Sequence, residues 1–479
     1  MNETIFAKAM EEDFNSLFGN SPKELINRYE SMLARGDQYF FDVEEFQNLI
    51  DYYISERKNA QAFEVLDIAK KQHPSTSDLL IREAELLAQN ERFTEALTAI
   101  NSVEDYEPYN LEVYLTKASI LSQNGKIKEA ISTLKRALTI ADESELDEVY
   151  MDIAFEYQNL GQYDPALKYL KRALFRNPEN DEAIYEISYC YEELDKMTEG
   201  IEFYSNFIDQ NPYSSHAWFN QGNIYVQLGL YEKALESFDF CTIVNEEFAS
   251  GHFNKGLALR KLEEYEKAID AFQSALKYDL IESVNLYYIG LCYEDIEYYR
   301  EAEIFYRKCV KSDERMSDAW LGLANVLSEQ DQWIEALHHA RHATIIDENN
   351  PKTYHRLAQL QGKMNYFEEA FDSFEIAIDK GMKGIDVWID YCDTLYDAGE
   401  ENNLSVVVNR ALDNYPHKSE IYYRFAAYLT RLGQLDEAEN ILFLALSMDK
   451  SKINYLFEFT PEAEDYDFVN NMLEEFENK

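Results

Sequence analysis

The sequence predicts an all-α fold built from repeated helix hairpins, and three observations support that prediction. Alanine recurs in one column at a spacing of 34 residues or a multiple of it, apart from a two-residue insertion near Ser144. The 479 residues include only 16 Gly and 9 Pro, so breaks for turns are few. Within each unit, apolar residues recur at helical spacing. The column consists of Ala62, Ala96, Ala130, Ala166, Ala234, Ala268, Ala302, Ala336, Ala370 and Ala438.

The unit that begins at Ser215 shows the pattern of one hairpin most clearly. Gly229 marks the turn between two predicted helices, because glycine is favoured where a helix ends. Small residues are expected where the two helices cross closely, such as Gly256 opposite Ala268. The first helix carries Trp218, Gly222 and Tyr225, and the second carries Ala234, Phe238 and Cys241.

These units resemble the tetratricopeptide repeat, whose signature is an aromatic residue, a Leu-Gly or similar pair, a Tyr, and then Ala, Phe, Ala and Pro. The resemblance extends over most of the chain and implies a right-handed superhelical α-solenoid of about twelve tandem repeats. A period of this length is typical of stacked supersecondary units. The predicted repeat starts are Val43, Ser77, Leu111, Asp147, Asp181, Ser215, Ala249, Ser283, Ser317, Pro351, Ile385 and Ser419.

Three segments are predicted along the chain. Residues 1–42 form an N-terminal segment with a capping helix, residues 43–452 form the repeat array, and residues 453–479 form acidic C-terminal capping helices. Exposed terminal repeats need such polar covers. Two repeats depart from the pattern, because Arg57 stands at a glycine position and Leu404 stands in the alanine column. We expect those two hairpins to be splayed.

The charge balance excludes some partners and leaves two interpretations open. The chain has 44 Lys+Arg and 91 Asp+Glu, which gives a formal net charge of −47. Phosphate binding needs clustered cations, so nucleic acid is not an expected partner. The acidic residues either maintain solubility or attract a basic partner. An alternative function follows from the second interpretation, in which the chain is an acidic regulator that engages a cationic surface of nucleic-acid machinery by phosphate mimicry.

Compartment and membrane association are predicted from three features. The N-terminus MNETIFAKAMEEDFNSLF contains several acids and no long apolar core, unlike a secretion signal. No apolar run reaches membrane-spanning length. The five cysteines lie far apart and form no C-x-x-C pair. We therefore expect a cytoplasmic protein that does not partner a membrane, and the sequence leaves its oligomeric state undetermined.

The sequence contains no recognisable catalytic motif. The sequence has no G-x-x-x-x-G-K-[ST] or G-x-G-x-x-G phosphate loop. The dense histidine cluster HHARH, residues 338–342, has no evident third ligand, so we interpret it as exposed helix residues rather than a metal site. No carboxylate pair stands out as a general acid and base. We expect no enzyme activity, cofactor or metal.

The first helix of each repeat carries a stripe of residues that is offset from its core-facing residues. This stripe is the candidate partner-binding surface. These residues follow the leading aromatic column by one and five positions, and the family resemblance places them on the concave face. Most are apolar or aromatic, which suits either a ligand groove or packing against the next hairpin. Asparagines beside the stripe can hydrogen bond a peptide backbone. The candidates are Met151, Phe155, Tyr185, Tyr189, Phe219, Asn220, Asn223, Phe253, Asn254, Leu257, Tyr287, Leu291, Leu321 and Asn325.

Charged residues near this stripe indicate which charges the partner is expected to carry. Flanking acids such as Glu182, Glu186, Glu294 and Asp295 suit a protein or peptide that carries basic residues beside apolar anchors. One mildly basic patch, Lys352 to Lys363 with His355 and Arg356, is isolated, and we interpret it as ordinary surface. The sequence thus predicts a non-catalytic scaffold or adaptor that binds a polypeptide segment in the concave groove of the repeats.

Overall fold

A computed structural model describes residues 22–74, 76–278 and 281–477 of the chain. That part of the chain consists of helices and connecting turns and contains no strand. The contacts divide the chain between Leu228 and Gly229 into two compact units. The predicted all-α fold of tandem helix pairs is therefore confirmed.

The first unit contains a leading helix, five helix pairs and the first helix of the sixth repeat. Each pair begins within one residue of its predicted repeat start. The helices are α1 Pro22–Arg35, α2 Val43–Ser55, α3 Asn59–Gln72, α4 Ser77–Gln89, α5 Phe93–Tyr106, α6 Leu111–Gln123, α7 Ile127–Ala137, α8 Leu146–Asn159, α9 Tyr163–Arg176, α10 Asp181–Glu193, α11 Met197–Gln210 and α12 Ser215–Gln227.

The second unit begins with the second helix of the sixth repeat and continues with six further pairs. Two short 3₁₀ turns, Lys450–Lys452 and Pro461–Asp465, join its last helices. The helices are α13 Tyr231–Val244, α14 Ala249–Lys261, α15 Tyr265–Tyr278, α16 Glu282–Asp295, α17 Tyr299–Ser312, α18 Ser317–Glu329, α19 Trp333–Ile346, α20 Pro351–Lys363, α21 Phe367–Asp379, α22 Asp386–Asp397, α23 Glu401–Asn414, α24 Ser419–Arg431, α25 Leu435–Met448, α26 Asn454–Phe459 and α27 Asp467–Glu477.

One backbone conformation is shared by the turns inside the repeats. The fifteenth residue of every predicted repeat has a positive φ, between 54° at Asp195 and 77° at Gly399. This left-handed conformation favours glycine because a Cβ atom crowds the following carbonyl. Five repeats have glycine there, and the other seven carry Arg57, Glu91, Asp195, Glu263, Glu297, Asp331 or Asn365. The turn therefore forms at the same position of the repeat whether or not the residue is glycine.

The hairpins of the seventh and eighth repeats combine a buried alanine with a buried aromatic ring of the same helix. Ala268 and Ala302 are fully buried, as the column predicts. A Cβ atom on Gly256 would lie 2.6 Å from the Phe272 ring, so this glycine makes room for an aromatic residue of the second helix rather than for Ala268. Close packing of this kind fixes the crossing of the two helices.

The two irregular hairpins are packed rather than splayed. In the first repeat, Tyr53 of α2 and Leu66 of α3 belong to one buried cluster. In the eleventh repeat, Leu404 is buried in the same cluster as Trp388. The expectation of splayed hairpins was therefore wrong, because the larger side chain at position 404 is accommodated in the core.

Both ends of the described chain are covered by helices. In α1, Tyr29 and Met32 are buried in the cluster of the first hairpin. In α27, Val469 and Met472 are buried in a cluster with Leu442 of α25. The remainder of the predicted N-terminal segment, residues 1–21, and the final residues 478–479 lie outside the described residues.

Candidate functional site

In the first unit, the predicted stripe places two tyrosines at the surface of α10. The side chains of Tyr185 and Tyr189 are 37% and 43% exposed, one helical turn apart. The ring of Tyr189 meets the Tyr163 ring edge to face at 5.8 Å between centroids. The rings of Tyr185 and of Phe219 in the next repeat also meet edge to face, with 6.1 Å between their centroids. Neighbouring rings thus hold both tyrosines while leaving apolar area accessible.

Three predicted contact residues of this unit are instead buried in the fold. Met151 and Phe219 are 5% and 8% exposed, and Met151 belongs to the hydrophobic core. Asn220 is 3% exposed, and its side-chain amide donates to the backbone carbonyl of His216 at 2.8 Å. These side chains offer little surface to a partner. Asn223 lies in the same helix and is half-buried.

An acidic cleft lies beside Phe155, which is half-buried against the core. The cleft has a volume of 240 Å³, and Leu115 and Ser119 of α6 face Asp152 of α8 across it. Burial and, to a smaller extent, the nearby charges of Glu148, Glu156 and Glu182 together raise the pKa of Asp152 to about 6. This carboxylate lies among like charges, so a cation placed in the cleft would stabilise it.

In the second unit, the predicted stripe lies on α14, α16 and α18 and is half-buried throughout. Phe253 meets the rings of Phe272 and Tyr288 at 5.5 and 5.3 Å. Tyr287 lies 5.9 Å from Tyr306, and burial raises its pKa well above the usual range. These rings therefore contribute to packing between repeats as well as to the surface. The other members are Asn254, Leu257, Leu291, Leu321 and Asn325.

Several of the polar residues expected to face a partner are bound within the protein. Asn325 donates to Glu294 at 3.2 Å, and the same carboxylate accepts from the hydroxyl of Tyr306 at 2.5 Å. Glu186 accepts from Gln158 at 2.7 Å. Asp295 forms an ion pair with Arg260 at 2.7 Å. The sequence showed that these residues share a face, but it did not show which of them are already satisfied by the neighbouring repeat.

The basic patch of the tenth repeat, residues 352–363, is more buried than predicted. His355 is buried, and its Nε2 lies 2.7 Å from Asp390 Oδ2 of the next repeat. Arg356 is half-buried, and burial lowers its pKa. The interpretation of this patch as ordinary surface is therefore wrong for these two residues. The residue type alone gives no signal of this burial, because Arg82 and Arg424 occupy the same sixth position of the first helix in two other repeats.

Comparison with known families agrees with the geometry of the helix pairs. Three profiles described as tetratricopeptide repeat match the chain: one covers residues 249–279, another covers residues 152–215, and a third covers residues 111–144, 215–242 and 285–315. The chain is a tetratricopeptide repeat protein. Such repeats generally mediate protein or peptide binding, which supports an interaction scaffold.

Three solved structures that are similar to this tetratricopeptide repeat protein have 12–20% sequence identity to it over the matched residues. YrrB, described as a TPR protein with an unusual peptide-binding site, is 20% identical; the match covers 37% of this chain and 92% of YrrB, with a TM-score of 0.32. A tetratricopeptide repeat protein from Parabacteroides merdae is 17% identical, with coverages of 52% and 99% and a TM-score of 0.39. The APC/C hetero-tetramer Cut9-Hcn1 is 12% identical, with coverages of 82% and 89% and a TM-score of 0.41. No curated protein sequence matches the chain significantly.

The histidine cluster in the ninth tetratricopeptide repeat is partly internal. His338 is exposed as expected, whereas His339 is buried and His342 lies 4.2 Å from the ring of Trp320. Burial lowers the pKa of His339. Across the described residues of this tetratricopeptide repeat protein, no group of three His, Cys, Asp or Glu side chains is placed to hold a metal ion. In the same part of the chain, no helix combines the length and apolar character needed to cross a bilayer.

Proposed function

We propose that this protein is a non-catalytic scaffold that binds an extended or helical segment of another polypeptide along the first helices of its repeats. The observation that carries the proposal is the exposure of Tyr185 and Tyr189 on one face of α10. Partly exposed aromatic side chains held by neighbouring rings are favourable anchors, because they lose little entropy when a partner covers them. Tetratricopeptide repeats as a family support the same general role.

The partner carries basic residues beside apolar anchors. Asp152 lies among Glu148, Glu156 and Glu182, and Phe155 lines the same cleft. A Lys or Arg side chain entering this cleft would bring a positive charge to the acids and place its aliphatic stem near the Phe155 ring. Charge complementarity of this kind favours specificity and rapid association.

The second unit contributes a stripe of its own. Phe253 and Leu257 of α14, Tyr287 and Leu291 of α16, and Leu321 of α18 retain partial exposure. Phe253, Leu257 and Tyr287 also pack against buried clusters. We propose these five side chains as the binding surface of the second unit, and Phe155, Tyr185 and Tyr189 as that of the first unit. Met151, Phe219 and Asn220 are excluded because they are buried.

We also propose a chain organisation and a compartment. Residues 43–452 form the repeat array, and its ends are covered by α1 within the N-terminal segment 1–42 and by α27 within the C-terminal segment 453–479. The protein acts in the cytoplasm. The polar faces of α1 and α27 suit the covering role. The five cysteine thiols are buried, which suits a reducing compartment in which cysteine serves as a small apolar core residue.

Affinity capture with a matched pair of double variants tests the proposed surface. The test variant carries Tyr185→Gln and Tyr189→Gln, and the control carries Tyr106→Gln and Tyr109→Gln at the turn after α5, where both tyrosines are more than 80% exposed. We expect the test variant to lose the captured partner at least about tenfold while the control retains it, because anchors contribute about 2 kcal/mol each. Equal recovery by both variants, with unchanged melting temperatures, would remove the surface on α10 from the proposal.

A further inference from the structure

The second helices of the third and fourth repeats are basic, although the chain as a whole is strongly acidic. Helix α7 contains three basic residues and one acid, and α9 contains four basic residues and one acid. The second helices of the preceding and following repeats, α5 and α11, contain three acids each and no basic residue. A positive patch bounded by acidic helices therefore lies on α7 and α9, in a chain whose formal net charge is −47.

Several cations of this patch are free of contacting counterions. The two acids of these helices, Glu129 and Asp164, already form ion pairs with Lys126 and Lys196. Positive charges without a carboxylate beside them attract an acidic ligand more strongly than neutralised pairs do. The exposed basic side chains of α7 and α9 that have no carboxylate within 4.0 Å in the described part of the chain are Lys128, Lys135, Lys168 and Arg172.

Tyrosine rings between α7 and α9 hold two of these cations in place. Lys135 donates to the hydroxyl of Tyr157 at 2.7 Å. The Tyr157 ring stacks on Tyr169 of α9, with 5.8 Å between the centroids. The guanidinium carbon of Arg172 lies 5.5 Å from the centre of the Tyr169 ring. These contacts connect the two second helices through α8, so Lys135 and Arg172 lose little entropy when a ligand binds them.

An exposed aromatic side chain lies on the same face of α9 as two of the free cations. Phe175 is 86% exposed. Lys168, Arg172 and Phe175 follow one another at intervals of four and three residues, which places them along one face of a helix. A ligand that combines carboxylates with an apolar side chain can contact all three. This combination favours a polypeptide over a polyphosphate.

The acidic helices beside the patch limit the length of its ligand. A nucleic acid strand that continued from α9 over α11 would bring its phosphates beside Glu199, Glu202 and Asp209, all of which are exposed. Like charges at this range repel one another. A short acidic segment of a polypeptide can end within the patch and avoid this repulsion.

We propose that α7 and α9 bind a short acidic segment of a partner polypeptide. Its carboxylates contact Lys135, Lys168 and Arg172, and an apolar side chain of the segment packs on Phe175. This surface lies on second helices and shares no residue with the surface proposed on the first helices. The first unit therefore presents one surface to a basic segment and a separate surface to an acidic one.

Fluorescence anisotropy with dye-labelled probes tests the patch on the intact protein. The acidic probe is the peptide Glu-Glu-Phe-Glu-Glu-Leu-Glu with blocked ends, and its neutral control has Gln in place of every Glu. An oligothymidylate of the same net charge is the nucleic-acid probe. We expect the acidic peptide to bind with a Kd below about 0.1 mM at about 50 mM NaCl, and the other two probes to bind at least about tenfold more weakly.

Matched double variants locate the binding. Lys168→Gln with Arg172→Gln removes two cations of the patch, whereas Lys308→Gln with Lys311→Gln removes two exposed cations of α17. The first pair should weaken the acidic peptide at least about tenfold and the second by less than about twofold, with unchanged melting temperatures. Phe175→Ser, which alters no charge, should weaken it about threefold.

Three results would overturn the proposal. They are the absence of saturation at about 1 mM acidic peptide, equal effects of the two double variants, and an oligothymidylate that binds as tightly as the peptide. None of these measurements involves α10, so their failure beside intact Tyr185-dependent capture would remove the patch on α7 and α9 alone.

Discussion

A Cβ atom on Gly322 would lie 2.6 Å from Cζ of Tyr306, a residue of the preceding repeat. The Tyr306 ring is fully buried, and its hydroxyl donates to Glu294 at 2.5 Å. A Cβ on Gly290 would meet the same ring from its own hairpin at 2.8 Å. The ring is therefore enclosed by two glycines, and its position helps to set how α16 and α18 approach each other.

We predict that Gly322→Ala destabilises the protein despite the better helix propensity of alanine. Alanine gains roughly 0.5–1 kcal/mol in a helix interior, whereas overpacking of a fixed core costs about 1–3 kcal/mol. The expected net loss in the free energy of unfolding is about 1 kcal/mol, measured by urea denaturation. In a Tyr306→Leu background the same change should cost nothing or stabilise. An equal loss in both backgrounds would contradict the assignment of the strain to this ring.

At the left-handed turns, replacing a residue by glycine is predicted to stabilise the protein. Glu297 has φ of 61° in the turn between α16 and α17. Glu297→Gly should stabilise the protein by roughly 0.5–1 kcal/mol, because relief of the left-handed strain exceeds the added freedom of the unfolded chain. Gly161→Ala, at the equivalent turn with φ of 66° and open space around it, should destabilise by a similar amount. Thermal unfolding of both variants checks the pair, and destabilisation by Glu297→Gly would contradict it.

These turns also show how far the sequence predicts this fold. The period placed each first helix within one residue, because the spacing of apolar and small residues is set by local helix geometry. A search for glycine would not find the turn at Glu297. The repeat period gives the position of that turn, whereas the residue type does not. The side-chain environment depends on contacts about 30 residues away, such as Asn325 with Glu294 and Arg356 with Ser328. Such pairings are outside the reach of a repeat pattern.

For the candidate site, the sequence predicted which helix face each residue occupies but not how deeply each residue is buried. Tyr185 and Phe219 occupy the same column in successive repeats, yet the first is exposed and the second is buried. The column fixes the face of the helix, whereas the neighbouring repeat decides how much of that face is covered. Burial of Phe219 and Asn220 therefore could not be read from their spacing.

Acidification should stabilise the first unit through Asp152. The pKa of this carboxyl is about 6 in the folded protein, above its usual 3.8, so the folded state binds more protons than the unfolded state between these values. Its destabilising effect is complete above about pH 6 and disappears as the pH falls towards 4. Asp152→Asn should therefore raise stability at pH 7.5 by about 1 kcal/mol, a figure reduced for partial solvent screening, and by little at pH 4.

Asp393 provides the contrasting control for this pH experiment. Burial also raises its pKa to about 6, but it accepts from Tyr428 at 2.5 Å and lies 3.7 Å from Arg424. Arg424→Gln should destabilise at pH 7.5, because it leaves the buried carboxylate of Asp393 without its counterion, and should destabilise less at pH 4, where Asp393 is protonated. Urea denaturation at both pH values compares this variant with Asp152→Asn. A loss of stability in Asp152→Asn at pH 7.5, or a gain in Arg424→Gln, would contradict the effects assigned to these charges.

Salt dependence distinguishes the scaffold from the acidic regulator. Apolar anchors on α10 should keep the loss of partner affinity below about tenfold when NaCl rises from about 0.05 M to about 0.5 M. A phosphate mimic bound to a cationic surface should lose more than about a hundredfold over the same range, since its binding depends on many screened charges. Isothermal titration calorimetry with the captured partner measures this slope. A loss of partner affinity of more than about a hundredfold would favour the acidic regulator over the scaffold.

Site-specific photocrosslinking tests the central proposal most directly, because it reports where a bound polypeptide lies. A photoreactive phenylalanine analogue is placed singly at Tyr189 on α10, at Leu257 on α14, and at Tyr213 in the exposed turn before α12 as a control. The proposed function predicts crosslinks from the partner to positions 189 and 257 and none above background at position 213. Crosslinks confined to position 213, with none at positions 189 and 257, would contradict binding along the first helices of the repeats.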